Sequence, residues 1–387
     1  MNNSRVTFID GLRGLSLLGI LLANMLIFQF GMFNKDTLTL NGFDTGMLHV
    51  VQVVIEHSFL PIFTVLFGFS LIKMIDSVRR RKTKSRWTIL RRAIGLIVLG
   101  LLHSRFIWDG DILFSYGIMT LLLIPFINRK AKTLFIWAGI FTALMLILGI
   151  GSSMTPVGEA DMTEVPAMVD YMKQENEVLQ NGSYAAIYDF RNNVDIPMFG
   201  DDENAGIFML IAMVIAPIMY APLFLIGMAL AKINAFTKME QEQKWYSTLS
   251  FLVPVGLALK ASSIYLGEAN SFSMTLSLFG ANLLAVGYIA LFAMIYHSSA
   301  IQKIAPYIES VGKLSLTNYI MQSVICTTIF YGYGLGLFNK LAVWQGVLLG
   351  LVIYTLQAII SRWYLQFAKR GPLEYVLRLW TNFSFKS

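Results

Sequence analysis

Apolar and polar positions of this chain come in blocks. Runs of roughly 20 apolar residues, the length that crosses a hydrocarbon core as a helix, are separated by short stretches rich in Lys, Arg, Asn and Gly. Ten such blocks stand out, at about 12–33, 55–75, 88–107, 112–127, 132–151, 205–231, 247–266, 273–296, 314–337 and 341–363. The pattern predicts an all-α polytopic membrane protein of about ten transmembrane helices.

Charge gives the expected orientation. The basic run VRRRKTKSRWTILRR, 78–92, lies between two apolar blocks, and basic loops stay on the cytoplasmic side. NRKAK at 128–132 and the stretch 232–244 fall on the same side. An even number of spans then puts both termini in the cytoplasm, where Arg5, Arg13, Lys369, Arg370 and Arg378 agree. The stretch 159–203 is outside, with eleven Asp and Glu against Lys173 and Arg191. The chain divides into an N-terminal five-helix membrane half, 1–151, and an extracytoplasmic acidic loop, 152–204. A C-terminal five-helix half, 205–363, and a cytoplasmic interfacial tail, 364–387, follow. Within the loop, Val165, Met168, Val169, Met172 and Val178 recur at helical spacing and predict an amphipathic helix over 165–180. Three readings stand for it: a membrane-surface helix, a cap over an outward-facing cavity, and a solvated loop. In the tail, Leu373, Val376, Leu377 and Trp380 share one face of a short interfacial helix.

Composition sharpens the class. Of the residues 56% are hydrophobic and 14% charged, against about a quarter charged in soluble domains. The expected location is the cell membrane, multi-pass, with the lipid bilayer as partner. The net charge of +7 sits in loops beside spans, as orientation requires, and is no nucleic-acid signal. Phe30, Met32, Phe33 and Lys35 follow the first block where a leader would carry small residues, so that block reads as a retained span. The single cysteine, Cys326, excludes an intramolecular disulfide and a Cys-based metal site. The four histidines show no metal-ligand spacing, so no metal is expected. The phosphate-cradling motif GxxxxGK(S/T) is missing, which argues against a nucleotide-driven pump.

Ionisable side chains in spans are expensive and are functional candidates by default. The second block opens VIEHSFLPIF, with Glu56 and His57 toward its outer end and Pro61 placed to kink the helix below them. The third ends GLLHSRFIWDGDILFSY. It brings His103, Arg105, Asp109 and Asp111 to one hairpin, with Tyr116 a turn further on. An imidazole beside a carboxylate suits general-base work; a polar hairpin that merely caps two helices is the plainer reading. In the ninth block, GKLSLTNYIMQSVIC, Ser315, Asn318, Tyr319 and Gln322 share a helical face. They either hold another helix or line a polar tunnel. At the start of the first block Asp10 and Arg13 are three apart, and Arg13 suits either a phosphate-bearing ligand or a local ion pair.

These residues carry a family likeness. IDGLRGLSLLGILLAN, EHSFLPIFTVLFGFS, LRRAIGLIVLGLLHSRFIWDGDILFSYGI and GKLSLTNYIMQSVICTTIFYGYGLGLF resemble, in this order, the YeiB-like bacterial membrane proteins. GPLEYVLR continues the likeness, which covers nearly the whole chain. That family often has Gly-Lys where this chain has His57-Ser58, so Glu56, His103, Asp109, Asp111 and Tyr116 carry over as motif positions and His57 does not. The family is similar, at a distance, to transmembrane acyltransferases, which pass an acyl group from cytoplasmic acyl-CoA to an acceptor across the membrane. The acyltransferase-three proteins usually have a His near the end of the first span; here Asn24 stands nearby, so the base comes from elsewhere.

The resemblance implies a membrane acyltransferase with acyl-CoA as donor. Arg13 holds the phosphates, and the acyl arm passes Ser315, Asn318 and Tyr319. His103 or Glu56 acts as base, Asp109 or Asp111 orients the imidazole, and Arg105 or Tyr116 supplies the oxyanion donor. The acceptor is a small molecule or a cell-envelope component. The rival expectation is a proton-coupled transporter or exporter, with Glu56, His57 and Asp111 as relay and the ninth-block stripe as path.

Overall fold

The computed structural model describes residues 7–34, 38, 40–81, 85–154, 166–197, 216–237, 239, 241–267, 270 and 272–383. Among them every regular element is helical. The helices are α1 (Thr7–Phe30), α2 (Gly42–Val50), α3 (Phe59–Arg80), α4 (Ser85–Phe106), α5 (Leu113–Leu122), α6 (Ala131–Met154), α7 (Pro166–Asn181) and α8 (Tyr184–Asn193). They continue with α9 (Ala221–Lys232), α10 (Gln243–Ser250), α11 (Leu252–Leu266), α12 (Phe272–Ile295), α13 (Ser299–Lys313), α14 (Ser315–Phe330), α15 (Val343–Phe367) and α16 (Pro372–Asn382). Seven stretches are long and apolar enough to cross a membrane; α5 and the segment Ile218–Lys232 are apolar but shorter. Of the expected span 205–231, residues 205–215 lie outside the described residues.

α1 is the hub. It packs against α3, α13, α14 and α15, so the two sequence halves interlock. Its first turns contribute Phe8, Ile9 and Leu12 to one apolar core, with Phe69, Phe224, Phe292 and Tyr296. Its later turns contribute Leu17, Leu21, Met25 and Phe28 to a second, with Trp108, Tyr319, Phe330 and Tyr354. The α1–α13 crossing is backbone against backbone. A methyl group on Gly14 would overlap the Ile308 carbonyl, and one on Gly312 would overlap the Asp10 carbonyl. Outward faces of α6, α11 and α15 expose Ile147, Leu148, Val255, Tyr265, Ile360 and Trp363, the surface a helix presents to lipid.

Three sequence expectations change. The second span does not begin at 55 with a kink at Pro61. Instead α2 runs into a π-helical turn, Val51–Ile55, and the chain breaks at 56–58, where His57 takes a left-handed φ of +59°. Pro61 then falls in the first turn of α3, where an absent N–H breaks no helical bond. The connection after the eighth span is itself a helix, α13. The tail helix α16 is docked on protein rather than lying on one apolar face. Leu377 is buried, Val376 and Trp380 are exposed, and Trp380 Nε1 donates to Arg91 O at 2.7 Å. Glu374 accepts from the Leu316 and Thr317 amides at 2.7 and 3.1 Å, placing a carboxylate at the N-terminus of α14.

The expected amphipathic helix over 165–180 is α7. It buries Met168, Tyr171, Met172, Glu175 and Leu179. With α8 it lies across the ends of α1, α4 and α14, called below the acidic end; the opposite, basic end carries Arg79, Arg91 and α16. Arg191 of α8 donates to Ile107 O at 2.9 Å and Ser104 O at 2.8 Å, and Tyr184 to Phe106 O at 2.7 Å. These carbonyls terminate α4 and lack helical partners of their own, and a guanidinium there also suits the helix dipole.

Candidate functional site

The helix end that α8 fastens carries His103. Its ring is buried, and Nδ1 lies 2.8 Å from Asp111 Oδ1. The other carboxylate oxygen, Oδ2, accepts the Phe114 amide at 2.8 Å and so caps the first turn of α5. An acceptor-only carboxylate puts the proton on Nδ1. Nε2 then offers its lone pair, and it is buried with no hydrogen-bond partner among the described residues. Gly100, one turn before His103, makes the approach possible: a methyl there would overlap Asp111 Oδ2 and the Phe114 backbone. Tyr319 of α14 closes the site. Its ring centre is 5.3 Å from that of His103, its hydroxyl donates to Gly110 O at 3.2 Å, and it accepts from Ile112 N at 3.2 Å.

The other expected residues fall in separate places. Asp109 turns away from the imidazole; it is half-exposed and 3.7 Å from Arg191 Nη2. Arg105 donates to the Tyr188 hydroxyl at 2.9 Å, so it braces α8 rather than the base. The Tyr116 hydroxyl pairs with Thr64 Oγ1 at 2.8 Å. Glu56 sits in the break before α3, with His57 Nε2 at 3.9 Å. Its carbonyl oxygen accepts from Lys260 Nζ, which also donates to Ser58 Oγ at 3.1 Å. Lys260 is fully buried and was not among the expected residues. It is the one charge within Leu252–Leu266, so the cost of ionisable groups in apolar spans was signal enough to find it.

At the basic end Arg13 Nη1 donates to Asp10 Oδ1 at 3.0 Å and Nη2 to Ser70 Oγ. Arg92 lies within its electrostatic reach, with the guanidinium 5.6 Å from the Phe67 ring centre. The stripe on α14 divides. Ser315 is half-buried at the helix start. Asn318 donates to Ser361 Oγ at 3.0 Å, Gln322 to Gln357 Oε1 at 3.0 Å, and Gln357 back to Asn318 O at 3.2 Å. These side chains fasten α14 to α15, which is the packing role of the two expected from the stripe.

A cavity of about 280 Å³ opens at the acidic end, lined by Trp108, Asp109, Tyr171, Glu175, Arg191 and Tyr331 among others. Glu175 is 8% exposed and accepts from Asn34 Nδ2 at 3.3 Å. Burial, then the nearby Asp109 charge, raises its carboxyl to about 7. Burial likewise pushes the Tyr171 phenol up. No sequence signal marks Glu175 or Arg191 apart from the other charges of the loop. Among the described residues no cluster of His, Cys, Asp and Glu could hold a metal ion.

Residues 230–384 match the family described as a protein of unknown function, DUF418. Relatives extend the likeness over the whole chain. The uncharacterized protein YxaH of Bacillus subtilis (strain 168) is 29% identical over 395 residues, covering 100% of this chain and 96% of that protein. The uncharacterized protein YeiB of Escherichia coli (strain K12) is 26% identical, covering 96% and 94%. An uncharacterized 39.9 kDa protein in the amylase 3′ region of Bacillus acidopullulyticus is 24% identical, covering 98% and 94%. The family match covers the C-terminal part and the likeness to YxaH and YeiB runs from end to end, so the chain is similar along its whole length to YeiB-like proteins.

Proposed function

We propose that the protein is a membrane-embedded acyltransferase. In this reading ten helical spans leave both termini in the cell's cytoplasm and the acidic end outside. The supporting observation is the buried His103–Asp111 pair, with its imidazole oriented through Nδ1 and its Nε2 unpaired among the described residues. That is the arrangement a general base needs. Nε2 takes the proton of an acceptor hydroxyl or amine as its oxygen or nitrogen attacks the thioester carbon of acyl-CoA. A C–O or C–N bond forms, the C–S bond breaks, and the imidazolium returns the proton to the departing thiolate.

Arg13 and Arg92 at the basic end supply cations for the donor's phosphates. Arg92 and His103 stand on the same helix, and a separation of eleven residues corresponds to about 16 Å of rise. An extended thioester arm covers such a distance. The test is transfer of label from radiolabelled acyl-CoA in membranes. Wild type is expected to label an acceptor, His103→Ala to lose transfer, and Asp111→Asn, which favours the wrong tautomer, to lose most of it. Unchanged transfer in a folded His103→Ala protein removes the base from the mechanism. Thermal stabilisation by acyl-CoA, weakened in Arg13→Ala, tests the donor site separately.

One observation favours a second reading, a proton-coupled transporter or exporter. The helix is interrupted at 56–58 beside buried Lys260, and broken helices with exposed backbone carbonyls form the binding sites of many transporters. Proton-coupled substrate movement in proteoliposomes, without covalent product, selects it.

A further inference from the structure

We propose that the cavity at the acidic end is a binding site for a small organic cation, an amine or its N-alkylated form. The inference stands on the cavity alone and holds whether or not the protein transfers acyl groups.

Four aromatic side chains, Trp108, Tyr171, Phe190 and Tyr331, line the space, and aromatic faces attract cations. Two carboxylates face the same volume, Asp109 from the α4–α5 hairpin and Glu175 from α7. Asp195 adds a third. The cation in the wall, Arg191, is engaged through its Nη atoms, which bond Ile107 O and Ser104 O, with Nη2 3.7 Å from Asp109; its buried Nε has no hydrogen-bond partner among the described residues. Glu175 is left with a neutral amide, Asn34, and among the described residues no cation pairs with it.

A carboxylate nine-tenths buried beside an open space is expensive unless something of opposite charge arrives. An inorganic ion would leave the aromatic faces unused, whereas an amine with a small apolar shell contacts both. The volume, about 280 Å³, lies just below the range of about 300–1,000 Å³ for drug-sized ligands, which suits a smaller molecule. Gly31 belongs to the same design. It takes a φ of +87°, and a methyl there would press on Glu175 Oε2 at 3.1 Å, so the end of α1 leaves room for the carboxylate.

The experiment is titration calorimetry on the full chain in lipid nanodiscs at pH 8. The probes are choline, methylamine and 3,3-dimethylbutan-1-ol, the neutral carbon isostere of choline. Binding of at least one of the two cations is expected, with no binding of the neutral alcohol. Glu175→Gln is expected to weaken it about tenfold or more, the effect of losing a charged partner. Asp109→Asn, a half-exposed position that the fold tolerates, is expected to weaken it less. Equal binding of the alcohol, unchanged affinity in Glu175→Gln, or no binding of either cation overturns the proposal.

Discussion

Glu175→Gln also makes a stability prediction with a definite sign. In the folded protein the carboxyl titrates at about 7 instead of 4.5. At 1.36 kcal/mol per tenfold change in proton affinity, this amounts to about 3 kcal/mol. The folded state holds the proton more tightly than the unfolded chain does. Below pH 4.5 both states are protonated and the group contributes no difference. Between 4.5 and 7 the unfolded chain has lost its proton while the folded protein keeps it, so stability falls as pH rises. Above 7 the folded state carries the full penalty. Glutamine keeps the shape and the acceptor for Asn34 Nδ2, and it is neutral throughout. The variant and wild type should therefore unfold alike near pH 4.5. At pH 8 the variant should be more stable, by up to about 3 kcal/mol. Unfolding in mild detergent, followed by tryptophan fluorescence across this pH range without added amine, measures the difference. A variant less stable than wild type at pH 8, or a difference constant with pH, refutes the reasoning.

Three further outcomes follow from contacts described above. Arg191→Ala removes both donors from the end of α4 and should lower stability by about 2–3 kcal/mol in the same unfolding assay. Gly312→Leu has no space at the α1–α13 crossing and should yield little folded protein by size-exclusion chromatography, whereas Gly139→Leu, where a methyl meets nothing, should behave as wild type. Gln322→Leu alone leaves Gln357 Oε1 buried without its donor and should destabilise by about 1–3 kcal/mol, while Gln322→Leu with Gln357→Leu should recover part of that loss in a double-mutant cycle.

The sequence displays long-range apolar periodicity well and local breaks poorly. Seven stretches of the described residues are helices long and apolar enough to cross a membrane, because block length alone specifies a helix in an apolar solvent. α7 was legible from Met168 to Val178, since its apolar positions recur at near-helical spacing; Val165 of the expected face lies outside the described residues. α13 was hidden: Lys303, Glu309 and Lys313 make 299–313 look like a connection, although Ala305, Val311 and Gly312 are buried. The break at 56–58 was hidden too. Apolar residues continue through 53–63, and Pro61 drew the kink to the wrong place. Within the site, the pairing of His103 with a carboxylate was legible, but the choice between Asp109 and Asp111 was not. Two aspartates two residues apart in a tight turn point opposite ways, and the turn's geometry decides which one meets the imidazole.

Lys260 has a consequence for how the chain is made. A lysine at the centre of an inserting helix costs about 2.5–3.5 kcal/mol on the scale set by insertion into the bilayer. Its oxygen partners at Glu56 and Ser58 lie 204 and 202 residues earlier in the chain. They have already left the ribosome when α11 emerges. Insertion of α11 is thus expected to be a capture step, in which the helix enters lipid with its charge directed to acceptors on an earlier segment. The order of synthesis supplies the solvent that the bilayer lacks, and a chain with these segments in the reverse order would have to insert the lysine unaccompanied.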